Sequence, residues 1–87
     1  MKKVEIIPIA ERKHNRRGIK RGWVEETIMD PMQVVEGYGG RKVAQKKHLA
    51  DNKEYLLRVV YEETEEMFTV ITAYLTSRVG RYWMEDK

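Results

Sequence analysis

The spacing of apolar residues changes near residue 31, from a helical period to a strand period. Within residues 20–29, apolar positions recur at intervals of one, three and four, as they do on one face of a helix. The residues on this face are Trp23, Val24, Thr27 and Ile28. Asp30 precedes Pro31, and a residue before proline disfavours the helical region, so this helix is expected to end there.

An earlier helix is predicted between Pro8 and Gly18. Proline suits the first helical position and glycine suits the C-terminal cap, which gives a helix of about ten residues. Its inward stripe is expected to include Ile9, Ala10 and the stems of Lys13 and Arg17, with His14 beside them. The residues before it, Val4, Ile6 and Ile7, are expected to be extended or to lead into the helix.

After Pro31 the period of two predicts four strands. They are expected at residues 33–38, 41–48, 54–62 and 67–76. Gly39-Gly40 is a hairpin signal of the primed-turn type between the first two. The last two strands have apolar side chains on both faces, as central strands covered by helices on one side do. The tail SRVGRYWMEDK is expected to add an edge strand or a short helix.

This order predicts an α+β fold in a single domain of residues 1–87, in which two N-terminal helices pack on a four-stranded, curved antiparallel sheet. A chain of 87 residues forms one modest core. The predicted core residues are Trp23, Val24, Ile28, Leu57, Val59 and Ile71. The chain has no cysteine, which excludes disulfides, thiolate catalysis and zinc sites built on cysteine.

The charge is unevenly distributed, although the net charge is only +3. Residues 1–22 contain eight Lys or Arg against two Glu, and residues 41–48 add four basic residues and no acid. Residues 51–66 contain six carboxylates against two basic residues. Two basic segments that meet in the fold form a phosphate-binding face, whereas separate segments are ordinary solvated surfaces.

Nothing in the sequence predicts a membrane protein. No apolar run approaches the roughly 20 residues that a membrane-spanning helix needs. Glu5, Pro8 and Glu11 interrupt the N-terminal apolar patch well before it reaches the length of a signal-peptide core. We therefore expect a soluble, cytoplasmic protein.

Three segments resemble, in order, the domain-of-unknown-function family 4258. They are RRGIKRGWVEETIMDPMQVVEGYGGRKVAQKK, YLLRVVYEE and VITAYLTSRVGRYW, which match its basic helix ending in R-G-I, its second helix ending in N/D-P, and its G-R-x, L-R-V-V and T-A-Y strands. The family is similar to the RelE-type and colicin-type ribonucleases. The resemblance implies a RelE-like fold, a toxin that cleaves RNA without metal or other cofactor, and two partners: RNA, on or off the ribosome, and a small antitoxin protein. Many members have a histidine where this chain has Ile9, so a histidine mechanism is not carried over.

Metal-free cleavage of RNA requires removal of the 2′-hydroxyl proton, stabilisation of the crowded phosphate and protonation of the leaving oxygen. Arg58 lies between apolar residues on the third predicted strand, where it needs either a structural carboxylate or an anionic ligand. Tyr74 lies on the next strand, and Arg81 and Tyr82 follow in the tail. We predict that Arg58 and Arg81 stabilise the phosphate and that Tyr74 or Tyr82 transfers a proton, a division of roles that resembles RelE-type ribonucleases.

The predicted RNA-binding residues are Arg17, Arg41, Lys42, Lys46 and Arg78. Lys42 and Lys46 point to one face of their strand. Arg41 and Lys47 point to the other face, so only one of the two pairs can line a single site. Tyr82-Trp83 stands beside two arginines and is expected either to stack on bases or to clamp the edge of the sheet.

Other assignments remain open in the sequence. His14 and His48 are either an acid–base pair or packed side chains. Their spacing, and that of the acidic turn, matches no zinc or calcium loop, so no metal site is predicted. The alternative to an enzyme is a non-catalytic module that binds nucleic acid or a protein partner through the same basic face.

Overall fold

A computed structural model of the chain describes residues 2–84, so the two ends of the predicted domain, including the last three residues of the tail, lie outside the described part. The elements in chain order are β1 (Lys3–Ile6), α1 (Pro8–Arg16), α2 (Arg21–Met29), β2 (Gln33–Glu36), β3 (Lys42–Ala50), β4 (Lys53–Glu63), β5 (Met67–Thr76) and α3 (Val79–Tyr82). The fold is a mixed arrangement of helices and one sheet, as expected. The predicted short helix in the tail is confirmed as α3.

The sheet has five strands in the order β1-β5-β4-β3-β2. Strands β2, β3, β4 and β5 pair antiparallel with one another, as predicted, whereas β1 runs parallel to β5. The prediction of four strands is therefore wrong by one. The residues of β1 were expected to be extended, but a four-residue segment carries no local sign that its partner lies near the other end of the chain.

The two N-terminal helices lie where the sequence predicts them. Pro8 occupies the first turn of α1, and Gly18, at φ 71°, follows its C-terminal end. Helix α1 packs against β5, and α2 packs against β3 and β4. Ala10 and His14 form the buried side of α1, but Ile9 is 53% exposed, so its assignment to the inward stripe is wrong. Ile9 lies in the first turn of α1. No helical residue precedes this turn, so the sequence lacks the earlier apolar position that would show which side of the turn faces the core.

The turn between β2 and β3 contains the two glycines that predicted it. Gly39 and Gly40 have φ values of 68° and 80°, which the primed turns require. The Arg41 amide donates to the Tyr38 carbonyl at 3.4 Å, and the Gly37 amide donates to the Arg41 carbonyl at 2.7 Å. Strand pairing begins only beyond these residues, so β2 ends before Tyr38 and is shorter than predicted.

The core lies between the helices and one face of the sheet. Its buried residues are Ile6, Ala10, Ile19, Val24, Ile28, Ala44, Leu57, Val59, Tyr61, Val70 and Ala73. The predictions for Val24, Ile28, Leu57 and Val59 are confirmed, and Trp23 packs against this core while partly buried.

Ile71, which was predicted to lie in the core, is only half-buried. Val60 pairs with Thr72 and Tyr61 pairs with Val70, which leaves Ile71 as the extra residue of a β-bulge. The bulge shifts the alternation of β5 by one residue. Val70 and Ala73 are therefore the buried residues, and Ile71 is not.

The sheet has two faces with different roles. We call the side that packs under α1 and α2 the helix-covered face, and it includes Ala44, Leu57 and Val59. The intervening residues of the same strands, among them Gln45 and Arg58, belong to the opposite side, which we call the open face. Helix α3 lies against β4 on this open face. The side chain of Gln45, in β3, donates a hydrogen bond to the carbonyl of Tyr82, in α3.

Candidate RNA-binding and catalytic site

A row of four polar side chains crosses the open face from β2 to β5. The strand register places Gln33 opposite Gln45, Gln45 opposite Arg58, and Arg58 opposite Tyr74. The Gln45 Nε2 donates to Gln33 Oε1 at 3.1 Å, and the Arg58 Nε donates to Gln45 Oε1 at 2.7 Å. The Arg58 Nη1 donates to the Tyr74 hydroxyl. The row therefore holds the Arg58 guanidinium in one orientation at the centre of the sheet.

The Arg58 guanidinium is bound by neutral groups. Among residues 2–84, no carboxylate oxygen lies within 4.0 Å of it. The amide and hydroxyl oxygens that accept its hydrogen bonds leave its positive charge uncompensated. A half-buried arginine in this setting attracts an anion, and its planar fork matches the geometry of a phosphate group. The contacts favour the ligand interpretation of Arg58 over the structural salt bridge.

The tail brings Tyr82 to Arg58, with Arg81 before it in the chain. The Tyr82 ring lies 4.2 Å, centroid to Cζ, from the Arg58 guanidinium, and the Arg81 guanidinium lies 5.6 Å from the same ring. The rings of Tyr74 and Tyr82 meet edge to face at 6.4 Å. Of the four residues predicted to be catalytic, Arg58, Tyr74 and Tyr82 thus form one cluster, and Arg81 lies beside it as the neighbour of Tyr82 in residues 78–84, which fold over the open face.

Trp83 continues the cluster towards β3. The Lys47 ammonium lies 4.1 Å from its ring centroid, a cation–π distance. Lys47 and Arg41 belong to the open face, as the strand alternation predicted. Of the two basic pairs in residues 41–48, this is the one that shares a face with Arg58.

A groove of about 490 Å³ gives access to Arg58 from the β2–β3 turn. Arg41 and Arg58 both line it, together with Val43, Val60 and Tyr38. Glu36 also lines the groove and opposes an anion there. Arg41 makes only a long contact of 3.5 Å with the exposed Glu62, which leaves it able to meet a ligand. The prediction of Arg41 as a binding residue agrees with this position.

Lys42 and Lys46, which were predicted to bind RNA, lie on the helix-covered side and not on the face of Arg58, so their role in binding stays a prediction. The Lys46 ammonium is 3.0 Å from Glu26 and 3.6 Å from Asp30, and its side chain is only 14% exposed. Its hydrogen bond with Glu26 raises the pKa of Lys46, and the charges of Glu26 and Asp30 raise it further. Lys42 lies 3.8 Å from Glu63. The alternation of the strand predicted that Lys42 and Lys46 share a face. Only the position of α2 in the structure shows that the helices pack on this face.

Arg17 and Arg78 lie apart from each other. Arg17 donates from Nη1 to the Ala73 carbonyl at 2.8 Å, and so joins the end of α1 to β5 rather than facing the Arg58 cluster. Its role as a binding residue stays a prediction, outside the Arg58 cluster. Arg78 is exposed and begins the one-turn helix α3, three residues before Arg81. Of the predicted binding residues, Arg41 lines the groove that leads to Arg58.

Both histidines lie on the helix-covered side, so they do not form an acid–base pair at Arg58. His48 stacks on Trp23 with ring centroids 5.3 Å apart. His14 is 2% exposed. Burial lowers the pKa of His14, and the charge of Arg17 lowers it further, while Glu11 raises it. Burial also lowers the pKa of His48. Packing is the interpretation that their positions support.

Gln33 and Gln45 are site residues that the sequence did not reveal. Gln45 is fully buried, and its Nε2 also donates to the Tyr82 carbonyl at 3.3 Å. The only signal in the sequence was a glutamine within a predicted strand, which the strand register places opposite Arg58. Without the register, nothing distinguishes Gln45 from the other polar residues of its basic segment.

Within residues 2–84, no group of three or more His, Asp or Glu side chains is placed to hold a metal ion. The helices of that same part of the chain are all too short or too polar to cross a membrane. Comparison of the chain with protein-family models, with curated proteins and with solved structures finds no match. The resemblance to family 4258 and to RelE-type ribonucleases therefore stays a prediction from the sequence.

Proposed function

We propose that the chain binds RNA on its open face and cleaves it without a metal ion at the Arg58 cluster. The observation that carries the proposal is a half-buried guanidinium at the centre of the sheet, bound by Gln45 and Tyr74 and without a carboxylate partner among residues 2–84. Arg58 and Arg81 would neutralise the phosphate as negative charge builds on it. Aromatic rings beside them supply stacking surfaces for bases.

Tyr74 is suited to the proton transfer. Its hydroxyl oxygen accepts a hydrogen bond from Arg58, so the hydroxyl proton is available to another group, such as the leaving oxygen of the RNA chain. Tyr82, whose ring lies 4.2 Å from the Arg58 guanidinium and meets the Tyr74 ring edge to face, is the second candidate for moving a proton. Because both histidines lie across the sheet, the tyrosines carry the acid–base role in this proposal.

A cleavage assay tests the proposal directly. Purified protein is incubated with end-labelled single-stranded RNA in the presence of EDTA, and the wild type is compared with Arg58→Met. Loss of this phosphate-binding group is expected to lower the cleavage rate by about 10²–10³-fold. Arg16→Met is the matched control, because Arg16 is an exposed arginine on α1. Equal cleavage by Arg58→Met and the wild type contradicts the proposal.

The biological part of the proposal is a toxin that a small antitoxin protein neutralises. It rests on the resemblance to RelE-type ribonucleases and on the cationic open face, to which an acidic partner is complementary. Expression of the chain alone is expected to arrest growth, while the Arg58→Met variant is not. Growth arrest that persists in Arg58→Met contradicts the link between the cluster and toxicity.

The second candidate function is RNA binding without cleavage. Gln45 and Tyr82 favour it, because they already occupy one edge and one face of the Arg58 guanidinium. This candidate is supported over the enzyme if the wild type binds RNA and Arg58→Met does not. The RNA must also stay intact with the wild type, both on isolated ribosomes and in solution.

A further inference from the structure

The C-terminal residues 78–84 form a segment that we call the cover, because it lies over the polar row of the open face. Its helix α3 is a single turn with no side-chain cap and no buried residue. Two side chains of the sheet hold its backbone. Gln45 donates to the Tyr82 carbonyl, and Gln33 contacts Met84.

Gln33 binds the cover as a neighbouring strand would. The Met84 amide donates to Gln33 Oε1 at 3.0 Å, and the Gln33 Nε2 donates to the Met84 carbonyl. One side-chain amide thus satisfies both polar groups of one residue. Gln33 Oε1 also accepts from Gln45, and Gln45 accepts from Arg58. A continuous chain of hydrogen bonds therefore links Met84 to the Arg58 guanidinium.

Other contacts between the cover and the sheet involve its aromatic rings, and two of these rings stack on cations of the sheet. Tyr82 lies over Arg58, and Trp83 lies over Lys47. These are the surfaces that an RNA base and its phosphate would use, so the closed cover and a bound nucleotide compete for the same side chains.

We propose that Gln33 is the latch of this cover: its paired hydrogen bonds to Met84 hold residues 78–84 over Arg58, and their release frees the guanidinium and Lys47 for a phosphate-bearing ligand, to which Arg81 and Tyr82 then turn from the guanidinium. Gln45 is the positioning residue that keeps Arg58 oriented whether the cover is closed or open, because its bond to the Arg58 Nε lies within the sheet. The role of the ligand rests on the proposed function, whereas the latch itself does not.

The latch is tested through Trp83. The chain has two tryptophans, so Trp23→Phe leaves Trp83 as the only indole that reports quenching by acrylamide. In this background Gln33→Ala is expected to raise the quenching of Trp83 towards that of the unfolded chain. Val34→Ala is the matched control, since Val34 is the next residue of β2, is 46% exposed and faces the other side. Quenching that Gln33→Ala leaves unchanged overturns the latch.

A second variant removes the same contact from the opposite side. Met84→Pro lacks the amide that donates to Gln33, and Trp83 already has the extended conformation, φ −73° and ψ 128°, that a residue before proline prefers. It keeps both glutamines, so the sheet retains its polar row. Met84→Pro is expected to raise Trp83 quenching as Gln33→Ala does, and an unchanged value again overturns the latch.

Ligand binding is measured with a 2′-O-methyl oligonucleotide, which lacks the hydroxyl that the cleavage needs. Gln33→Ala is expected to bind it more tightly, by about five- to a hundredfold, the effect of two ordinary hydrogen bonds that no longer oppose opening. Raised quenching with unchanged or weaker binding overturns the covering role. Failure of the wild type to bind any RNA overturns the proposed function, while the quenching result still decides the latch.

Discussion

Gln45 is the residue whose replacement tests the polar row most directly. It is fully buried and bridges three groups: the Arg58 Nε, Gln33 Oε1 and the Tyr82 carbonyl. Gln45→Leu keeps a side chain of similar size and removes all three hydrogen bonds. The perturbation therefore isolates the loss of polar contacts from the opening of a cavity.

The expected loss follows from those bonds. The bond to the charged Arg58 is worth about 1.5–3 kcal/mol, and each of the two neutral bonds is worth about 0.5–1.5 kcal/mol. Water that hydrogen-bonds to the half-buried Arg58 and to the Tyr82 carbonyl in the variant offsets part of this loss. We therefore expect Gln45→Leu to lower the free energy of unfolding by about 2–4 kcal/mol.

The assay is urea denaturation of the wild type, Gln45→Leu, Arg58→Met and the double variant. Because Gln45 and Arg58 are in direct contact, their effects are not expected to add, and a coupling energy of about 1.5–3 kcal/mol should appear in the cycle. A coupling near zero, or a loss for Gln45→Leu below about 0.5 kcal/mol, refutes the reasoning, because it shows that the row does not hold Arg58.

Three further outcomes are expected. Leu57→Ala removes a fully buried core side chain and should lower stability by about 2–5 kcal/mol in denaturant melts, whereas a loss near zero contradicts its burial. Burial lowers the pKa of His14 from its usual 6.5, so the unfolded chain binds the proton more readily and stability should fall from about pH 7 to pH 5. His14→Leu should make that decline shallower, and parallel declines contradict it. Arg41→Gln with Lys47→Gln should flatten the salt dependence of RNA binding, because each phosphate contact releases counterions, while Lys46→Gln should not; the reverse pattern in a salt titration contradicts the assignment of faces.

The helices and the four antiparallel strands were predictable because each has a local signal. Pro8, Gly18 and Pro31 mark helix ends, and the paired glycines mark a turn that closes over a few residues. The strand β1 had no such signal, since the parallel pairing with β5 depends on the whole intervening chain. The bulge at Ile71 was unpredictable for the same kind of reason, because one extra residue is visible only against the partner strand.

The candidate site shows the same division between local and long-range information. Arg58 and Tyr74 were recognised from the alternation within single strands. The face of the sheet that α2 covers was not recognised. Lys46 was therefore predicted to bind RNA, although its ammonium pairs with Glu26 and Asp30. Gln45 was overlooked because a polar strand residue acquires its meaning only from the residues opposite it in the register.

The parallel pairing of β1 with β5 also sets an order for folding. Strands β3, β4 and β5 follow one another through short turns and can pair as soon as they have been made. Residues 3–6 are synthesised before the other strands of the sheet, whereas their partners at 67–70 are synthesised only after β2, β3 and β4. The entropy of closing so long a loop grows only slowly with length, so the delay affects the rate far more than the final stability. We therefore expect the N-terminal strand to complete the sheet as its last step, with the amide of Ile7, which donates to the Val70 carbonyl, gaining protection after those of β4 in pulsed hydrogen exchange.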